Sequence, residues 1–239
     1  MTATPSSLRI QERFVSVQGE GILAGVPSSF VRLSGCNLRC AWCDSPSSSW
    51  SPEGEQVTLD ELLSWCGAGP RHVVITGGEP LMFPRVGPLT QALANAGHHI
   101  TIETAGTVDQ PDLRCDLASI SPKLAHSTPR DRAPSLADRH ERLRWQPHVV
   151  RGLMRFEHQL KFVVRAHTDD ALEADVAELQ TMLGELDVDD PQRVLLMPEC
   201  IDPTQLQPRY RRIAALCLQH GYRLGPRLHI TAFGHTPGT

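Results

Sequence analysis

Cys36, Cys40 and Cys43 lie within eight residues in the stretch SGCNLRCAWCDS, with Trp42 directly before the last of them. Thiols at C-x3-C-x2-C spacing can wrap one soft metal ion or hold one corner of an iron–sulfur cluster. A closed zinc site takes four ligands, commonly from two paired half-sites, and here the second pair is missing. Cys66, Cys115, Cys200 and Cys217 are isolated along the chain. Cys66 and Cys217 fall in helical patterns, Cys115 at the start of a strand pattern and Cys200 after a strand end, as suits small buried hydrophobes. Three thiolates on a four-iron cluster leave one iron open, which a reaction needs. A second signal lies in VVITGGEPLM, where Gly77-Gly78-Glu79-Pro80 directly follows a strand pattern. Glycine lets the backbone approach a ligand closely, and strand-end carbonyls with Glu79 can accept from an ammonium group.

The elements that must position these groups fit one α/β domain over 1–239, with two small domains as the lesser alternative. Short apolar runs, SFVRLSG, HVVIT, HITIET, LASIS, LKFVV, RVLLM and RLHIT, read as strands covered by helices. Between them, TLDELLSWCG opens with Thr58 and Glu61 in capping-box register, VGPLTQALANAG ends at Gly97, DDALEADVAELQTMLGEL carries an apolar stripe, and PTQLQPRYRRIAALCLQHG ends at Gly221. Alternating strands and helices imply a parallel sheet, open or closed into a barrel. SPSSSWSP reads as a loop. The stretch 126–158 is rich in Arg and His with scattered prolines, and reads as a solvated loop plus a surface helix, with a docking face for an acidic redox partner as the second reading.

With 27 acidic and 23 basic residues the net charge is −4, which argues against a broad nucleic-acid surface. No apolar run approaches the ~20 residues that span a bilayer, and MTATPSSLRIQERF lacks the basic start and apolar core of a signal peptide. A reducing, cytoplasmic location is expected, where disulfides are unexpected; seven cysteines also cannot all pair.

The cysteine motif and GGEP, in this order and at strand ends, resemble the radical S-adenosylmethionine (SAM) superfamily. FVSVQGEGILAGVPSSFVRLSGCNLRCAWCDS, TIETAGT, SPK, LKFVV, LLMPE and RLHI…PGT are similar to the 7-carboxy-7-deazaguanine synthase family, in its order. The resemblance covers nearly the whole chain, apart from 126–158. It implies a partial, distorted (β/α) TIM-like barrel and a homodimer. It implies a lyase reaction that turns 6-carboxy-5,6,7,8-tetrahydropterin into 7-carboxy-7-deazaguanine, with loss of ammonia, in queuosine-type deazapurine biosynthesis. The implied cofactors are a 4Fe-4S cluster on Cys36, Cys40 and Cys43, SAM, and Mg2+. Flavodoxin or ferredoxin is the implied electron donor.

Position by position, the resemblance places Val17, Gln18, Gly19, Arg32, Thr76 and Thr239 against the pterin. Arg32 suits a carboxylate because a guanidinium donates two parallel hydrogen bonds. Gly78, Glu79, Ser121, Pro122, Lys123, Met197, Pro198 and Glu199 are implied around SAM. Where the family usually has a Mg2+-binding Thr, two residues after the last cysteine, this chain has Ser45, which keeps the hydroxyl. Asp44 beside it reads as a turn cap. Two other readings stay open here: a different small radical SAM protein, such as a glycyl-radical activating enzyme, and a non-catalytic zinc-binding interaction protein.

Overall fold

In the computed structural model, which describes residues 7–239, the chain opens with antiparallel pairing. Strand β1 (Ser7–Val17) lies between β2 (Pro27–Leu33) and β3 (Glu55–Thr58). From β2 onward all neighbours are parallel: β4 (His72–Gly77), β5 (His99–Thr104), β6 (Leu117–Ile120), β7 (His158–Val164), β8 (Val194–Pro198) and β9 (Arg223–Leu224). The order is β3-β1-β2-β4-β5-β6-β7-β8-β9, so the sheet ends at two edges and does not close. This is the partial barrel that the resemblance implies. The N-terminal reading falls partly on residues 1–6, outside the described residues.

Side chains alternate across a pleated strand, and here the alternation separates core from cavity. Val31, Leu33, Val73, Ile75, Ile100, Ile102, Leu160, Phe162, Val164, Val194 and Leu196 join one buried cluster. Helices α2 (Leu59–Gly67), α3 (Val86–Asn95), α5 (Pro147–Leu153), α6 (Asp169–Leu186) and α7 (Pro203–His220) add Leu62, Leu89, Leu93, Val150, Leu179 and Ile213 to it. The intervening strand residues, among them Arg32, Thr76, Glu103, Lys161 and Met197, line a cavity on the other face.

The local signals for the helices are chemical. Thr58 caps α2 in a full capping box with Glu61, and Gly221 closes α7 in the left-handed region at φ 74°, where glycine carries no Cβ penalty. Some expectations need correction. RLHIT is not a strand: its residues enter the helix α8 (Leu228–Phe233), because five residues do not distinguish periods 2 and 3.6; Ile230 plugs into Cys200 and Leu206. SPSSSWSP contains the helical turn α1 (Pro46–Ser49). The 126–158 stretch holds two helices, α4 (Pro134–Leu143) and α5, each with proline in its first turn. Strands β1, β3 and β9 carry no clear strand signal: β1 alternates weakly, β3 is four residues long and β9 two.

Phe162 is fully buried in the β7 row. Phe162→Ala is expected to lower unfolding stability by about 3–5 kcal/mol, measured by denaturant titration of the wild-type and variant chains.

Candidate active site

A cavity of about 530 Å³ opens over the C-terminal ends of the parallel strands, the end where α/β barrels place their chemistry. Cys36, Cys40 and Cys43 all line it. Their loop leaves β2 at Leu33 and folds around an apolar cluster of Leu38, Cys40 and Ala105, with Cys36, Cys43 and Leu143 packed against it. Burial pushes the Cys36 thiol up to about 11 and the Cys40 thiol to about 12. Among the described residues no three His, Cys, Asp or Glu side chains converge as a single metal ion requires. The three thiols line one chamber, with Leu38, Ala105 and Leu143 packed about them, a donor set of the kind that iron–sulfur clusters take. The remaining cysteines stay with the packing reading: Cys66 and Cys217 belong to the main core, Cys200 to a small satellite cluster, and Cys115 packs at the core's margin. All seven are free.

The GGEP stretch builds the wall beside this loop. A Cβ on Gly78 would stand 2.3 Å from the Gly35 carbonyl oxygen and 2.6 Å from Cys36 Cβ, so only glycine lets β4 and the cysteine loop pack this closely. The Glu79 backbone N–H donates to the Gly35 carbonyl. The Glu79 carboxylate turns inward. It is fully buried and accepts from the backbone of Leu81 (3.1 Å) and Ala105 (2.8 Å) and from the Thr104 hydroxyl (2.8 Å). Burial holds this carboxyl above its usual range despite those donors. The side chain is thus a fastener between β4 and β5, not a group facing the cavity.

Register brings Arg32 of β2 beside Glu12 of β1 and Thr76 of β4. Arg32 Nε donates to Glu12 Oε1 at 2.7 Å, and the guanidinium lies 5.8 Å from the Phe14 ring centroid. Arg32 Nη1 is 3.4 Å from the Ser45 hydroxyl. Ser45 precedes α1 without capping it through its side chain, which leaves the hydroxyl at the cavity, 3.3 Å from Asp44 Oδ1. Val17, Gln18, Gly19, Thr76 and Thr239 line the same space, as do Gly78, Ser121, Lys123 and Met197. Pro122, Pro198, Glu79 and Glu199 do not. The Glu199 carboxylate instead meets His126 at 3.2 Å.

A charged network at the cavity wall was not read from the sequence. Lys161 donates to Glu20 (2.6 Å) and Glu103 (2.8 Å), and Gln18 Nε2 donates to Glu103 at 3.1 Å. Arg227 reaches Asp44 at 2.5 Å and Glu20 at 3.4 Å, with His229 nearby. Burial works against the charged forms, yet the paired charges win. Glu20 sits well below the usual carboxylate range beside Lys161 and Arg227, Asp44 is lowered beside Arg227, and Lys161 is raised beside Glu103 and Glu20. Asp44 is therefore the partner of an arginine 183 positions away, not a turn cap. Scattered single charges carry no spacing signal, so only the inward face of the sheet reveals the group.

Comparison with known proteins now bears on this site. A family model described as the radical SAM superfamily matches residues 30–125, the span holding the cysteines and GGEP. A protein of Rhodopirellula baltica named 7-carboxy-7-deazaguanine synthase is 43% identical over 99% of this chain and 91% of its own. One of the same name from Halobacterium salinarum is 41% identical over 98% and 93%. The chain belongs to the 7-carboxy-7-deazaguanine synthase family. The fold agrees: the crystal structure of QueE from Escherichia coli superposes with a TM-score of 0.69 at 26% identity, covering 93% of this chain and 95% of that one. Membership of this radical SAM family implies a 4Fe-4S cluster and SAM, and the three cavity thiols are the donor set that fits the cluster.

Two outcomes are expected. Gly78→Ala forces the cysteine loop aside, so anaerobic reconstitution should give a chain with several-fold less bound iron than wild type. His126 lies between Asp175 (3.4 Å) and Glu199. Burial opposes its charge, but the two carboxylates raise its pKa above the ordinary 6.5. The stabilisation is therefore full below that pH and lost as pH rises through the folded value. The stability gap between wild type and His126→Gln should narrow as pH is raised, read by urea unfolding at several pH values.

Proposed function

We propose that this chain converts 6-carboxy-5,6,7,8-tetrahydropterin to 7-carboxy-7-deazaguanine with loss of ammonia, as a radical SAM lyase. The observation that carries the reading is the near full-length likeness to proteins named for that product, joined to an arginine that opens on a cavity beside the cysteine loop. When bound, the cluster and SAM would supply the radical chemistry of the reaction.

The chain's own part is binding, orientation and exclusion of water. Arg32, held at Nε by Glu12 and reaching the Ser45 hydroxyl through Nη1, offers its guanidinium to the substrate carboxylate, a partner it can meet with two parallel hydrogen bonds. Thr76, one strand over in register, and Gln18 border the pterin. The Lys161–Glu103–Glu20 group offers fixed donors and acceptors to its polar edge. Gly78, Ser121, Lys123 and Met197 lie on the SAM side. Lys123 Nζ, 2.9 Å from the Ser121 hydroxyl and 5.7 Å from the Trp42 ring centroid, is placed there for the SAM carboxylate. Ser45, with its hydroxyl at the cavity, would be the residue to hold a Mg2+ there, which would supply positive charge beside the substrate. A homodimer, a flavodoxin or ferredoxin as reductant, and a cytoplasmic location complete the reading. Seven free thiols favour that location, and among the described residues no helix is long and apolar enough to cross a membrane.

The direct test supplies reconstituted protein with SAM, reductant and carboxytetrahydropterin. Deazaguanine product is expected; SAM cleavage without it would overturn the substrate assignment. Arg32→Lys should raise KM for the pterin about tenfold, or about 1.4 kcal/mol, because an ammonium cannot fork. Ser45→Ala should raise the Mg2+ concentration needed for half-maximal activity, measured by titration of the metal.

A further inference from the structure

The Arg/His-rich stretch holds no group that the proposed reaction uses, yet it grips the cysteine loop by its backbone. The amide of Arg39 donates to His140 Nδ1 at 3.0 Å. The amide of Ala41 donates to the Ser127 carbonyl at 2.8 Å. His140 sits on α4 at 1% exposure, and its Nε2 lies 2.9 Å from the Ser127 hydroxyl. A backbone N–H can only donate, so Nδ1 is the accepting nitrogen, and in the neutral ring Nε2 carries the proton. Burial keeps the ring neutral, with its pKa pushed down to about 4. From the other side Arg132 donates to the Ala41 carbonyl at 3.2 Å and stacks 3.9 Å over Trp50, whose indole N–H donates to the Cys40 carbonyl at 3.0 Å.

Amide donors near an iron–sulfur cluster set its potential, because a hydrogen bond to sulfur favours the more negative, reduced state. Between Cys36 and Cys43 the Leu38 amide lies 3.4 Å from Cys36 Sγ. The Arg39 and Ala41 amides are drawn away. We propose that His140 is a positioning residue for the cluster: by accepting the Arg39 amide, with Ser127 aligning its ring, it fixes the loop and withholds a donor from the cluster sulfurs. The inference rests on the cluster assignment to Cys36, Cys40 and Cys43. It gives α4 a role in making a low-potential reductant.

The test compares anaerobically reconstituted wild type, His140→Leu and His140→Asn. Three quantities are read: iron per chain, rate of iron loss to a chelator, and cluster midpoint potential by EPR-monitored titration. His140→Leu frees the Arg39 amide, so a more positive potential and several-fold faster iron loss are expected. His140→Asn places Oδ1 where Nδ1 stood and should restore both toward wild type. A wild-type potential and loss rate in His140→Leu overturn the inference. So does a failure of His140→Asn to restore them. If unfolding of the metal-free chain shows that His140→Leu does not fold, Ser127→Ala takes its place. It removes only the hydroxyl beside the ring, and a smaller shift in the same direction is expected; no shift overturns the proposal. If wild type takes up no iron, the cluster assignment itself fails, and this inference with it.

Discussion

A buried carboxylate holds the working end of this protein together. Glu79 stands at the end of β4 with no exposure and gathers donors from Leu81, Thr104 and Ala105. Thr107 extends the knot: its hydroxyl is 3.4 Å from the carboxylate and accepts from Asn37 Nδ2, in the cysteine loop, at 3.0 Å. A carboxyl in so dry a place is tolerated only because its oxygens are met by hydrogen bonds. Those bonds tie β4, β5 and the loop into one unit. The close contact of Gly78 with Gly35 and Cys36 completes it. The three thiols can share one chamber because the backbone around them has been fixed first.

The same sheet divides its labour by parity. Outward residues such as Val31, Ile75, Ile102, Phe162 and Leu196 are apolar and join the core under the helices; inward ones carry Arg32, Thr76, Glu103, Lys161 and Met197. Burial opposes both charges, yet Glu103 and Glu20 together raise Lys161, and Lys161 with Arg227 lowers Glu20. A network of that kind is costly when any member is lost. Fully paired, it presents fixed dipoles without rearrangement.

Much of the site was legible because its chemistry is local. C-x3-C-x2-C, GGEP and the position of Arg32 before the first cysteine are short-range patterns; the three cysteines, Arg32 and the two glycines of GGEP line the cavity, while Glu79 turns into the wall behind it. The helices α2, α6 and α7 were legible for a similar reason: caps and apolar stripes act within a few residues. Proximity to a strand end says nothing about which way a side chain turns, and the Glu199 carboxylate pairs with His126 rather than lining the cavity. RLHIT failed because its apolar residues satisfy a contact with Cys200 and Leu206 rather than a ladder.

The sequence by itself determined the cysteine motif, the family and the alternation of strands and helices, since spacing along the chain controls which atoms can meet a common ligand. Only the tertiary structure decided that Asp44 belongs to Arg227, that Lys161 joins Glu20 to Glu103, and that His140 accepts the Arg39 amide. Each of these pairs separates its partners by tens to nearly two hundred residues. Their contact depends on strand order and helix docking, and no local propensity encodes it.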